Sequence, residues 1–142
     1  MKRKIIIDGL QVVSINSAYY ADRKYGFKSQ VKDWFRQIAH QLSSGQNLAS
    51  ITDIKNHFDE KKHCFHIMII SHTPKMFNKS GYISLQSIDC SNFEKLILDS
   101  IFEYDNSLGL DDKFVTRLIS EKRNAPDFKI EIMIHVKTAS KP

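Results

Sequence analysis

Cysteine, proline and glycine are all scarce in this chain, at two, three and five residues among 142. Cys64 and Cys90 have no paired spacing, so neither a disulfide framework nor a zinc site is supported, and free thiols in a reducing cytoplasm are expected. No internal repeat or low-complexity block is present. A Gly-rich phosphate loop and a dinucleotide fingerprint are both missing, so no nucleotide cofactor is expected. Long hydrophobic runs are missing too: the most apolar stretch, Cys64 to Ser71 (CFHIMIIS), has the length of a buried strand, and no membrane partner is expected. The opening MKRKIIIDGL has a basic start like a secretory leader, but its apolar stretch, Ile5 to Ile7, stops at Asp8, so a strand is expected there. Acidic residues are in the minority, 16 against 21 lysines and arginines, for a formal net charge of +5. That excess favours a polyanionic partner without naming a function.

What is present fits a globular domain. Hydrophobic residues make up 42% and charged residues 26%, and the length suits one domain over residues 1–142. Lys4 to Val13 reads as a first strand, bent at Gly9. Ser29 opens a helix in which Val31, Trp34, Phe35, Ile38 and Leu42 recur at helical spacing, ended by an SSGQN turn. Residues 45–61 carry the weakest signal, with a short helix around ITDIKNHF as the reading. The Cys64–Ser71 strand follows, then an exposed loop, HTPKMFNKSGY. A second helix is expected from Asn92 to Phe102, burying Phe93, Leu96, Ile97, Ser100 and Ile101, with Asn92, Lys95 and Asp99 on a neighbouring polar face. Phe114 to Ser120 reads as a strand. Lys129 to Lys137 (KIEIMIHVK) alternates, with Ile130, Ile132, Ile134 and Val136 on one face and Glu131 and His135 on the other. The expected fold class is α/β (α+β): a small mixed sheet of about four strands covered by two main helices.

Against this basic background, aspartates gather at two places, Asp89 to Asp99 and the adjacent pair Asp111 and Asp112. Two carboxylates about 4 Å apart repel by roughly 1 kcal/mol in water and about 4 kcal/mol at an effective dielectric near 20, so such clustering needs compensation. Mg²⁺ supplies it, because it takes hard oxygen ligands, typically one or two carboxylates with waters and phosphate oxygens. Phosphodiester cleavage needs a metal to activate water and neutralise the reacting phosphate, and a nearby lysine adds to that stabilisation.

These residues resemble a known family. DCSNFEKLILD, Asp89 to Asp99, followed by DDKFV, Asp111 to Val115, is similar to the D-x-D-N-x-x-K-x-x-x-D and D-D-x-x-V pattern of RusA-type Holliday-junction resolvases. SINSAYY, Ser14 to Tyr20, resembles that family's early S-x-N-x-x-Y element, and Lys122 matches a basic position beyond the paired aspartates. The resemblance implies a crossover junction endodeoxyribonuclease, using Mg²⁺ or Mn²⁺, that nicks four-way and other branched DNA symmetrically in recombination and repair. It also implies a homodimer, since a two-fold junction needs two symmetric nicks, and a cytoplasmic, nucleoid-associated setting with a phage or prophage origin. Asp89 and Asp112 carry over as metal ligands, Asp111 as either a further ligand or a group supporting the ligands from behind, Lys95 as the phosphate-stabilising cation and Asn92 as a group orienting a ligand or the scissile strand. Asn16 and Tyr19 would lie beside this centre or touch DNA. The pattern departs at Ser91, where the family usually has aspartate; a hydroxyl there would be a weaker metal ligand.

Plainer readings stand beside these. Ser91 and Glu94 form a capping box, Lys95 and Asp99 an i, i+4 ion pair, and Asp111 and Asp112 suit a turn after Gly109. Lys24, Lys28, Lys32 and Arg36 share a stripe that is either a solvated helix face or, with Arg23 and the YYADRKY aromatics, a DNA-tracking surface. Lys75 and Lys79, around Phe77, belong either to a DNA-contacting excursion or to an exposed loop. His57, His63 and His66 lack metal-ligand spacing and read as structural. The non-catalytic alternatives are a junction-binding module weakened at Ser91 and a general DNA-binding accessory protein.

Overall fold

The computed structural model describes residues 1–9, 29–74, 76–84, 94, 97–104 and 109–139. The chain forms β1 (Lys2–Asp8), α1 (Ser29–Leu42), α2 (Gly45–His57) and β2 (His63–Thr73). A π-helical segment at Asp99–Tyr104 and a 3-10 turn at Asp112–Phe114 then lead to β3 (Val115–Asn124) and β4 (Lys129–Thr138). The sheet order is β1-β4-β2-β3. β4 lies antiparallel to both β1 and β2, and β2 runs parallel to β3, so the sheet is mixed and the fold α+β, as expected.

The alternation of β4 organises the core. Ile130, Ile132, Ile134 and Val136 are buried on one face and pair with Ser71, Ile69, Ile67 and Phe65 of β2. Ile5 and Ile7 of β1 continue this layer through Ile132 and Ile130. Trp34, Phe35, Ile38 and Leu42 of α1, Ile51 and Ile54 of α2, and Ile97, Ile101 and Phe102 close over it in one cluster. A period-2 strand and a period-3.6 helix thus present matching apolar surfaces, the basis of a two-layer domain.

The structure corrects several expected boundaries. β1 ends at Asp8 and the chain bends at Gly9, at a φ of +66°; the expected continuation over 10–13 lies outside the described residues. β2 and β3 run longer than their apolar runs suggested. A turn in SSGQN ends α1 at Leu42 as expected but is confined to Ser43 and Ser44, whose hydroxyls donate to His40 O, and the chain re-enters a helix at Gly45. That 13-residue helix is the second main helix, where only a short one was read. Its apolar periodicity is weak because polar residues do its docking. Asn47 both accepts from Ile6 N–H (3.0 Å) and donates to Ile6 O (2.7 Å), and Ser50 donates to Lys4 O (3.1 Å). Gln41 of α1 brackets Asp8 in the same way, at 2.9 and 2.7 Å. Side-chain amides thereby occupy the backbone groups of an edge strand that would otherwise invite pairing with another chain.

Of the expected helix from Asn92, residues 94, 97 and 98 are α-helical and the continuation is π-helical to Tyr104. Ile97, Ser100 and Ile101 are buried as expected. Asp99, expected on an exposed polar face, is 8% exposed and makes contacts of its own. The wider π turn rotates side chains away from their α-helical positions. Phe93, Leu96, Asn92 and Lys95 lie outside the described side chains. None of the described helices is long and apolar enough to cross a membrane.

On the other face of the sheet, burial by itself would push the Glu131 carboxyl up; the neighbouring Lys129, Lys4 and His72 outweigh this, and the group is held below its ordinary range. A carboxylate with a lowered pKa contributes stability that is present above the ordinary carboxylate range and is lost as pH falls through the lowered value. Glu131→Gln should therefore flatten the acid limb of a stability curve built from urea midpoints at successive pH values. In the core, Ile132→Ala should cost about 2–5 kcal/mol, read as a lower urea midpoint with little change in slope.

Candidate functional site

The paired aspartates sit on a short turn whose geometry separates their roles. Gly109 has a φ of +64°, a conformation that favours glycine, and a side chain there would meet Lys55 at 3.7 Å. Asp111 is the N-cap of the 3-10 turn, its carboxylate accepting from Lys113 N–H at 2.8 Å. This is the capping chemistry that favours aspartate at such a position. Asp112 begins the turn, is exposed, and has no side-chain hydrogen-bond partner among the described residues.

An aromatic column fastens this turn to the sheet. Phe114 meets Phe58 edge-on at 5.3 Å, Phe58 stacks on Phe65 at 4.3 Å, and Phe65 meets Phe102 at 6.0 Å. Aromatic pairs at such distances add about 0.5–1.5 kcal/mol each beyond area burial. The Lys113 ammonium stands 5.2 Å over the Phe114 ring. The result is an open cleft of about 510 Å³ at the N-terminal ends of β2 and β3, lined by Glu60, Phe102 and residues 109–114. Glu60 is the residue that reading the chain missed: it lies about fifty positions from the aspartate pair, and no local pattern could have connected them. Among the described residues, no set of three histidine, cysteine or acidic side chains is gathered closely enough to hold a metal by itself.

The other expected site residues are distributed differently. Asp89, Ser91, Asn92, Lys95, Asn16, Tyr19, Arg23, Lys24, Lys28 and Lys75 lie outside the described residues, and Lys32 is described only as part of the α1 backbone. Arg36 is exposed and pairs with Asp33 at 2.9 Å, as on a solvated helix face. Lys79 is exposed in a small hairpin closed by Asn78, which also presents Phe77, Tyr82 and Ile83 to solvent. This hairpin follows the far end of β2, roughly 30 Å along the strand from Asp112, so one chain does not bring Lys79 into the acidic cleft. Lys122 stands in β3 opposite Ser71, half-buried and engaged. It shares its side of the strand with Ser120, and the hydroxyls of Ser71 and Ser120 are buried with no hydrogen-bond partner among the described residues, a polar inlay in an otherwise apolar layer. A larger cleft of about 680 Å³, at the end of the sheet where β1 delivers the chain, is lined by Asp8, His72 and residues 125–129, none of them expected in the site.

The histidines behave as expected. His63 accepts from Asp59 N–H at 2.9 Å and stacks on His57, and His66 lies within β2. Cys64 is a buried free thiol.

Fold and cleft together define a small basic α+β protein with an acidic cleft placed at one end of a mixed sheet. The family described as Endodeoxyribonuclease RusA matches residues 10–135. The chain therefore belongs to the RusA family of Holliday-junction resolvases and is an endodeoxyribonuclease by that membership, with branched DNA as the substrate the family implies. No curated protein matches the chain.

The turn chemistry separates capping from charge. Asp111→Ala should lower stability by about 0.5–2 kcal/mol, whereas Asp111→Asn should keep the cap and most of the stability. Thermal melting of the two variants beside the native chain checks this.

Proposed function

We propose that the chain is a single-domain, Mg²⁺-dependent resolvase that works as a homodimer and makes paired, symmetric nicks in four-way DNA junctions, in a cytoplasmic, DNA-associated setting. The observation that carries this reading is the division of labour at the paired aspartates. Asp111 spends a carboxylate oxygen on its own turn, while Asp112 lines an open polar cleft with a carboxylate that has no hydrogen-bond partner among the described residues.

The donor set fits Mg²⁺, which takes carboxylate oxygens and keeps several waters. Asp112 and Asp89 would hold it, with Asp111 and the Ser91 hydroxyl as weaker contributors; bound there, it would supply an activated water and neutralise charge on the phosphate. The remaining work falls to the protein. Lys95 would meet the charge that develops on the phosphate, and Asn92 would orient a carboxylate or the scissile strand. The aromatic column under Phe114 fastens the turn that carries Asp112, and catalysis depends on such prior positioning of its groups. Asn16, Tyr19 and the cations Arg23, Lys24, Lys28, Lys32, Lys75, Lys79 and Lys122 would contact DNA.

Ser91 favours a second reading, a junction-binding protein whose metal centre has lost a carboxylate.

The test is cleavage of an end-labelled four-way junction and of linear duplex with Mg²⁺, Mn²⁺ or EDTA, for the native chain and Asp112→Asn. The expected result is metal-dependent paired nicking of the junction alone, reduced at least a hundredfold in Asp112→Asn with junction binding retained. Tight junction binding without nicking under either metal would favour the second reading. A monomer by light scattering at cleaving concentrations would overturn the dimer.

A further inference from the structure

The face of the sheet turned away from the helices carries a row of basic side chains, one from each strand. Lys2 of β1 is in register with His135 of β4, His135 with His66 of β2, and His66 with Arg117 of β3. At about 4.8 Å between strands the row spans roughly 14 Å. No carboxylate interrupts it. The acids of this face lie further along the strands: Glu131 is engaged with His72 (3.0 Å), Lys129 (3.4 Å) and Lys4 (3.7 Å), Glu121 with Arg123 (3.0 Å), and Asp8 stands at the opposite end of β1 from Lys2. Lys2, Arg117 and the adjacent Lys137 have no ion pair among the described residues.

We propose that this row is a docking surface for the phosphate backbone of the DNA substrate, laid across the open face of the sheet beside the Asp112 cleft. The inference rests on the family reading that DNA is the substrate. Three observations support it. The row lines a shallow cavity of about 200 Å³ floored by Met68, Ile119 and Met133, which offers aliphatic contact to sugars between the cations. It lies at the end of the sheet where the acidic turn enters β3, with Arg117 five residues beyond Asp112. Its span corresponds to about four nucleotide steps of 3.4 Å along one strand.

The electrostatics favour a polyanion over a second copy of this chain. Lys2, Lys4, Arg117, Arg123, Lys129 and Lys137 share this face with three carboxylates, Asp8, Glu121 and Glu131, so a like face would be repelled. His135 carries the signature of that field: burial, then Lys137, the N-terminus, Lys2 and His66 hold its pKa below the ordinary imidazole range.

The experiment compares the native chain with the double variant Lys2→Ala/Arg117→Ala, using fluorescence anisotropy on a four-way junction and on linear duplex across about 50–200 mM salt. Two lost phosphate contacts should lower the slope of log K against log salt by about 1.8 and weaken low-salt binding at least tenfold. Thermal melting confirms that the variant is folded, and Arg117→Ala alone, expected to lower the slope by about 0.9, serves if the double variant is not. A native chain that binds and cuts junctions with a slope unmoved by the substitutions would overturn this inference alone. Binding weakened only through a change in oligomeric mass by light scattering would overturn it in favour of an interface between copies. A native chain that binds no DNA would overturn the family-based reading as well.

Discussion

The register of β4 between β1 and β2 is the constraint on which the rest of this structure depends. Its even-numbered residues, Ile130 to Val136, supply the middle of the apolar layer, and a slip of one residue would exchange them for Glu131, Met133 and His135. Because both neighbouring strands pair with β4, the same register aligns the isoleucines of β1 and the Phe65 to Ile69 run of β2. It also aligns the basic row on the opposite face. One alternation therefore determines both a core and a charged surface.

The edges are handled by different chemistry. β1 is closed by amide and hydroxyl side chains from α1 and α2, so the helices are tied to the sheet by directional hydrogen bonds as well as by apolar contact. β3 runs parallel to β2, and a parallel pairing requires a long crossover. The turn that ends this crossover carries Asp111 and Asp112, and the aromatic column of Phe58, Phe65, Phe102 and Phe114 anchors it. The acidic cleft is thus a product of topology: it sits where the crossover returns to the sheet.

Adjacent aspartates show how identical side chains acquire different duties. Asp111 satisfies the backbone of its own turn, while Asp112 lines the cleft with no hydrogen-bond partner among the described residues. Glu131 shows the opposite fate for a carboxylate, surrounded by Lys4, Lys129 and His72 and committed to the sheet. The net positive charge is likewise unevenly spent, with Glu131 and Glu121 absorbing some cations while Lys2 and Arg117 have no ion pair among the described residues.

Much of this was legible along the chain. The alternation of Lys129 to Lys137, the buried strand around Phe65 and the helix holding Trp34 and Ile38 follow from local periodicity, the small mixed sheet from the count and order of elements, and the family from the resemblance of the aspartate motifs. α2 was legible only as a short helix around Ile51 and Ile54, because Asn47 and Ser50 dock its first half through hydrogen bonds that leave no hydrophobic period. The buried state of Asp99 depends on a π turn that spacing cannot reveal. Glu60 joins Asp111 and Asp112, and Lys2 joins His135, His66 and Arg117, only because distant strands pair. Local pattern determined the elements and the chemistry available to them. Tertiary structure alone decided which of those groups meet, since strand register and crossover geometry act between residues that the sequence holds far apart.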